Sequence, residues 1–225
     1  SRWYEMMNPS EVFGDIMIDY SYVECTSACV TALVGFQQEL PLYRAAEVEG
    51  AIQAGRAFVK TIQREDGSWY GSWAVCFCYG TWFGIECLVA AGERREESLP
   101  LQKALSYLLS KQNANGGWGE SYVACVNKIY PHDGVGAGFG EDGSGVVQTA
   151  WALLGLMAGD CKDRDAIDRG VAFLMRKQLP SGDWDQEGIT GVFNRSCGIT
   201  YTAYRNVFPI WALSRYGKKY DTDSR

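Results

Sequence analysis

One pattern, written three times along the chain, limits what it can fold into: a small residue, two spacers, an aromatic-aliphatic pair, three spacers, Gln, and then Gly-x-Trp. The copies are Gly55…Phe58-Val59…Gln63…Gly67-Ser68-Trp69, Ala104…Tyr107-Leu108…Gln112…Gly116-Gly117-Trp118 and Gly170…Phe173-Leu174…Gln178…Gly182-Asp183-Trp184. Each closes a stretch with apolar residues at three and four spacing, over Ala45–Gln63, Leu101–Gln112 and Asp165–Gln178. Asp-Gly, Asn-Gly-Gly and Pro-Ser-Gly turns follow, so the glycines stop three helices. A second set of helices, Val23–Phe36, Tyr79–Ala91, Val146–Ala158 and Asn206–Tyr216, is apolar nearly all round and is expected inside. Thr26, Thr81 and Thr149 stand near the starts of the first three.

Alternation of the two sets predicts an all-α fold, an antiparallel α/α barrel or toroid with apolar helices inside and repeat-bearing helices outside. Residues 1–225 are expected to form part of one such barrel domain, with repeats at about 55–69, 104–118 and 170–184. A repeat unit cannot cover its own apolar face, so an incomplete array leaves an edge for further sequence to cover. Gln63 and Gln112 are 49 residues apart but Gln112 and Gln178 are 66 apart. The Gly-rich stretch 131–145 accounts for the difference as a loop insertion. Within it Gly134-Val135-Gly136-Ala137-Gly138 follows no strand and precedes no Lys-Ser/Thr, which argues against a phosphate cradle.

At 47% hydrophobic and 13% aromatic, a chain of 225 residues can bury a substantial core. A net charge of −6, with no Lys/Arg run longer than two, argues against nucleic acid as a partner. No basic-then-apolar leader and no apolar run near the length of a spanning helix are present, so neither a signal peptide nor a membrane span is expected. The eight cysteines fall mostly in apolar helical stretches and read as reduced core thiols. Cys76-Phe77-Cys78 has the wrong spacing for a zinc finger, and the single histidine, His132, lies in the Gly-rich loop, so no metal or other cofactor is expected.

The repeated Gln…Gly-x-Trp unit resembles the QW motif of squalene and oxidosqualene cyclases. The run from Asn8 to Tyr20, Tyr22-Val23-Glu24-Cys25-Thr26-Ser27-Ala28, Gly67-Ser68-Trp69-Tyr70-Gly71-Ser72-Trp73 and Tyr79-Gly80-Thr81-Trp82-Phe83-Gly84 are similar to the eukaryotic oxidosqualene branch. So are Gly191-Val192-Phe193-Asn194 and the run Tyr204–Leu213. The resemblance covers the chain apart from the Gly-rich insertion and the last residues. It implies the C-terminal third of a cyclase acting on (3S)-2,3-oxidosqualene without a cofactor. It also implies a monotopic protein on the endoplasmic reticulum membrane, cytoplasmic side, or on lipid droplets, with membrane lipid and the missing N-terminal part of the same protein as partners. The Asp-Cys-Thr-Ala-Glu motif that carries the family's acid has no match here. Glu24-Cys25-Thr26-Ser27-Ala28 belongs to a separate element, so Glu24 is not read as the acid, and the isolated chain is expected to be inactive.

Opening an epoxide onto a polyene needs a strong acid, a dry shaped cavity, and stabilisation of migrating cations without a nucleophile to trap them. Aromatic faces do the last. By resemblance Trp73 lines the cavity where early ring cations form, Phe208 faces later ones, and Cys25 hydrogen-bonds the acid outside this chain. Ile16 matches a residue at the channel constriction, and Phe13 and Tyr79 match positions on the wall. The structural reading of each aromatic is a core side chain, and of Cys25 a small hydrophobe. The repeat residues Gln63, Trp69, Gln112, Trp118, Gln178 and Trp184 are expected to be structural: Gln satisfies orphan backbone groups of a neighbouring helix, and Trp stacks on it. Tyr20, Cys25 and Phe208 fit both main sterol branches, lanosterol and cycloartenol, which favours a sterol precursor as product.

Two other classes of function stay open from the residues, another α/α-barrel enzyme and a non-catalytic binding repeat. A prenyltransferase-type barrel needs an Asp, Cys and His zinc set, and a barrel glycosidase needs paired carboxylates, whereas Glu93, Glu96, Glu97, Asp163, Asp165 and Asp168 read as solvated. A non-catalytic helical repeat that binds protein would show a polar concave face, unlike these Trp-, Phe- and Ala-rich helices.

Overall fold

A computed structural model of the chain describes residues 2–9, 17–18, 20–130, 143–193 and 197–220. Eight α-helices carry the fold: α1 (Val23–Glu39), α2 (Ala45–Thr61), α3 (Cys76–Ala90), α4 (Leu99–Ser110), the short α5 (Val123–Asn127), α6 (Val146–Ala158), α7 (Arg164–Lys177) and α8 (Tyr204–Tyr220). Helices α1, α3, α6 and α8 form an inner row in which each packs on the next. Outside it lie α2 against α1 and α3, α4 against α3 and α6, and α7 against α6 and α8. The all-α expectation and the incomplete barrel are borne out, with the addition of a small antiparallel hairpin, β1 (Gly191–Phe193) with β2 (Cys197–Ile199). Strands of three residues are too short to announce themselves by alternation.

The repeat is one local structure built three times. Gly67, Gly116 and Gly182 have φ of +92°, +89° and +86°, the left-handed conformation that favours glycine. The Trp that follows is buried, and its indole N–H donates ten residues back: Trp69 to the Val59 carbonyl, Trp118 to Leu108 and Trp184 to Leu174, at 2.7, 2.7 and 2.9 Å. Each acceptor lies in the last turn of its helix, where carbonyls lack an intrahelical partner. Gln63 donates to Gly67 of its own turn and, on the neighbouring helix, to the Pro100 carbonyl in the first turn of α4, at 2.9 and 2.8 Å. Gln112 does the same to Gly116 and to Ala166 of α7. The side chain therefore links successive outer helices. Gln178 bonds Gly182 in its own turn, and the described chain has no outer helix after it.

Thr81 and Thr149 join the layers, their hydroxyl oxygens accepting from the backbone N–H of Trp69 (3.2 Å) and Trp118 (2.9 Å). A Cβ at Gly84 would lie 2.4 Å from the Trp69 ring, so α3 approaches the repeat only because that position has no side chain. Ser98 caps α4 by accepting from Leu101 N–H, and Asp163 caps α7 by accepting from Ala166 N–H.

Burial within the inner row departs from the sequence reading. Residues Val146–Met157 of α6 are all buried, as is most of α3. On α1, however, only Val23, Glu24, Ser27 and Val30 are buried, and on α8 only Pro209 and Ala212. A helix apolar all round is covered all round only when it has neighbours on both sides, and α1 and α8 stand at the two ends of the described row. Helix α8 is fastened by its polar residues: Arg215 Nη1 meets Glu86 Oε1 at 2.5 Å and the Leu154 carbonyl at 3.0 Å, and Lys219 Nζ donates to the Met157 carbonyl.

All eight cysteines are reduced. Five are buried, but Cys25 and Cys29 are exposed on α1 and Cys197 is half-buried, so these three are not core thiols. Of the acids read as solvated, Glu93 departs: its side chain is largely buried, bound to Lys60 at 2.6 Å and to Ser98. Residues 131–142 of the Gly-rich insertion, His132 and the Gly134–Gly138 run among them, lie outside the described residues.

Candidate active site

Two groups of aromatic rings lie on and next to the inner row. In the larger one Tyr79, on the first turns of α3, meets Trp151 of α6 at 5.0 Å between ring centroids, and Trp151 meets Phe208 of α8 at 5.3 Å. Tyr204 packs on Trp151 and Phe208, and Trp82 packs edge-on against Phe208 and Trp211. These separations and tilts are the edge-to-face arrangements aromatic quadrupoles favour. The smaller group holds Trp73, which precedes α3, against Phe193 of β1 at 5.2 Å and Tyr22 at 5.6 Å.

The structure thus joins Tyr79 and Phe208 through Trp151 and sets Trp73 in the neighbouring group. Cys25 lies exposed on α1, at an open groove of about 390 Å³ lined also by Tyr22, Cys29 and Leu33. Ile16 and Phe13 lie outside the described residues.

Buried and half-buried carboxylates organise the surrounding backbone. Glu120 is wholly buried and takes the N–H groups of Cys76, Phe77 and Cys78 at 2.8–3.0 Å, with the Cys76 thiol donating at 3.1 Å. This starts α3 at Cys76, three residues before the boundary read from the sequence. Glu187 takes the Val146 N–H at 2.6 Å and starts α6. Glu24, on the first turn of α1, takes the N–H groups of Ser72 (2.5 Å) and Trp73 (3.1 Å). Burial pushes all three carboxyls above the usual glutamate range, against the pull of the backbone donors. Burial, helped by the nearby Glu24, also raises the Tyr79 phenol far above its ordinary value, so it stays a neutral hydroxyl.

Sequence reasoning missed Trp151, Glu120 and Glu187 as contributors, and quoted Phe193 and Tyr204 only inside motifs. Glu120 did leave a signal: a lone acid two residues after the repeat Trp, in an otherwise apolar and Gly-rich run. Among the described residues no group of three or more His, Cys, Asp or Glu is placed to hold a metal ion. No helix among them is long and apolar enough to cross a membrane. What the arrangement offers is a cluster of packed aromatic rings with a neutral phenol among them, whose faces attract a cation without bonding to it.

Residues 10–218 match the model of the squalene-hopene cyclase C-terminal domain. The chain is 51% identical to lanosterol synthase of Mus musculus and 49% identical to that of Homo sapiens, over 96% of its length. It is 51% identical to cycloartenol synthase of Dictyostelium discoideum over 97%. It spans 29–30% of the length of these relatives. Among solved structures, ent-copalyl diphosphate synthase from Streptomyces platensis superposes with a TM-score of 0.63 at 16% identity, over 95% of this chain and 37% of that one, a likeness of fold.

Proposed function

The chain belongs to the family of the squalene-hopene cyclase C-terminal domain, and from that premise we propose that it is the C-terminal part of one barrel domain of an oxidosqualene cyclase. The full-length protein converts 2,3-oxidosqualene to a sterol precursor by an acid-initiated carbocation cascade, an intramolecular transfer in which no atoms are lost. The observation that carries this reading is the packing of aromatic rings on the inner row, Tyr79–Trp151–Phe208, together with the Trp73–Phe193 pair. Such faces favour a cation by about 2 kcal/mol when desolvated and leave it free to move on.

In this reading Trp73 and Phe193 attend early ring cations, and Phe208, backed by Trp151, attends later ones. Cys25, open on α1, donates to the acid supplied by the N-terminal part and stabilises its anion, which makes it a stronger acid. That part also covers the exposed faces of α1 and α8, and the complete enzyme rests in one leaflet of the endoplasmic reticulum membrane or on lipid droplets. Ile16 and Phe13 keep their proposed places at the channel constriction and wall.

The direct test is expression of the full-length protein in a host lacking its own cyclase, supply of 2,3-oxidosqualene, and identification of products by gas chromatography with mass spectrometry. A tetracyclic alcohol is expected, and a folded protein that returns only substrate would overturn the reading. Trp73→Ala should lower formation of the main product roughly thirtyfold, the loss of about 2 kcal/mol of cation stabilisation, while Trp73→Phe keeps most of it. Equal rates and products in both variants would remove Trp73 from the mechanism.

A further inference from the structure

We propose that Glu24 is a positioning residue for Trp73, fastening its backbone so that the indole is held against Phe193 and the cavity keeps its shape during the cascade. This rests on the cyclase reading above. Trp73 belongs to no helix or named strand, and a half-buried ring on a connecting segment keeps its place only if the backbone beneath it is fixed. Two attachments fix it. On one side Oε1 of Glu24 takes the N–H groups of both Ser72 and Trp73. On the other, the hairpin runs alongside, with Ala74 bridged to Gly191 and Val75 N–H donating to the Thr190 carbonyl at 2.9 Å. That hairpin carries Phe193, the ring against Trp73. Glu24 therefore sets the indole from the α1 side while β1 sets its partner.

The carboxyl is enclosed where it makes these bonds. Glu24 is only 5% exposed, and Oε2 is buried with no donor among the described residues. Burial raises the carboxyl above the usual glutamate range, against the pull of its backbone donors, and Oε1 accepts both backbone bonds in either protonation state. The sequence drew attention to Glu24 only as a look-alike of the family's acid. Its hydrogen bonds assign it a different task, aimed at Trp73.

The test compares Glu24→Ala and Glu24→Gln in the full-length protein with 2,3-oxidosqualene, reading the ratio of the main product to incompletely cyclised products. That ratio reports how cations are handled after the cascade has begun, and it does not change when initiation merely slows. Glu24→Ala should raise the incompletely cyclised share about tenfold, and Glu24→Gln, which keeps the accepting oxygen, should restore the wild-type ratio. An unchanged ratio in Glu24→Ala overturns the proposal, as does a Glu24→Gln variant whose ratio matches Glu24→Ala. If Glu24→Ala does not fold, Glu24→Gln against Glu24→Leu, which keeps bulk but accepts nothing, makes the same comparison with the same two outcomes. A wild-type enzyme with no cyclised product overturns the cyclase reading itself.

Discussion

Glu120→Ala should unfold or nearly unfold the protein. Three backbone N–H groups at the start of α3 end on this one carboxylate, in a place no water reaches. Removing it leaves them buried without acceptors, at about 1–3 kcal/mol each. The total rivals the roughly 5–15 kcal/mol by which an entire domain is stable. Glu120→Gln retains one accepting oxygen but turns an amide N–H₂ toward backbone donors, so it should fall between wild type and Glu120→Ala. Thermal unfolding of the purified protein, with soluble yield as a second readout, measures the series. A Glu120→Ala protein melting within about 4 °C of wild type, equivalent to roughly 1–2 kcal/mol at this size, would show that α3 does not depend on the cap.

The second large effect is at the repeat. Trp118 is fully buried, and its indole N–H satisfies a last-turn carbonyl of α4, so Trp118→Ala should cost about 3–5 kcal/mol, the usual range for truncating a buried aromatic. Gln112→Ala should cost less, about 1–3 kcal/mol, because its amide N–H₂ group ties the turn to α7 through two backbone carbonyls. Gln178→Ala should cost less again, since Gln178 is more exposed and bonds only its own turn. The order Trp118, Gln112, Gln178 in melting temperature is the expected result. Whatever activity survives should give the wild-type product. A changed product from Gln112→Ala or Trp118→Ala at unchanged stability would move these residues from scaffold to chemistry.

The repeat made the outer helices and their ends legible because its interactions are local. The glycine that ends each helix, the turn after it and the indole bond ten residues back all lie within one copy of the pattern, so spacing alone locates them. The deep burial of α6 was legible for a similar reason: a helix apolar on every side must be enclosed. That same rule failed for α1 and α8, since their enclosure depends on neighbours and not on their own residues.

The candidate site divides along the same line. Trp73, Phe208 and Tyr79 could be named from residue type and motif, but not which ring each would meet. Tertiary structure alone placed Trp151 between Tyr79 and Phe208, and Phe193 against Trp73. It also decided the buried acids: Glu120 finds its donors 42–44 residues away, and Glu24 finds its own 48–49 residues away. A side chain that bonds within its own turn is specified by the sequence beside it. A buried carboxylate must be matched by backbone N–H groups left over at the end of some other element, and which element supplies them is settled only when the helices pack.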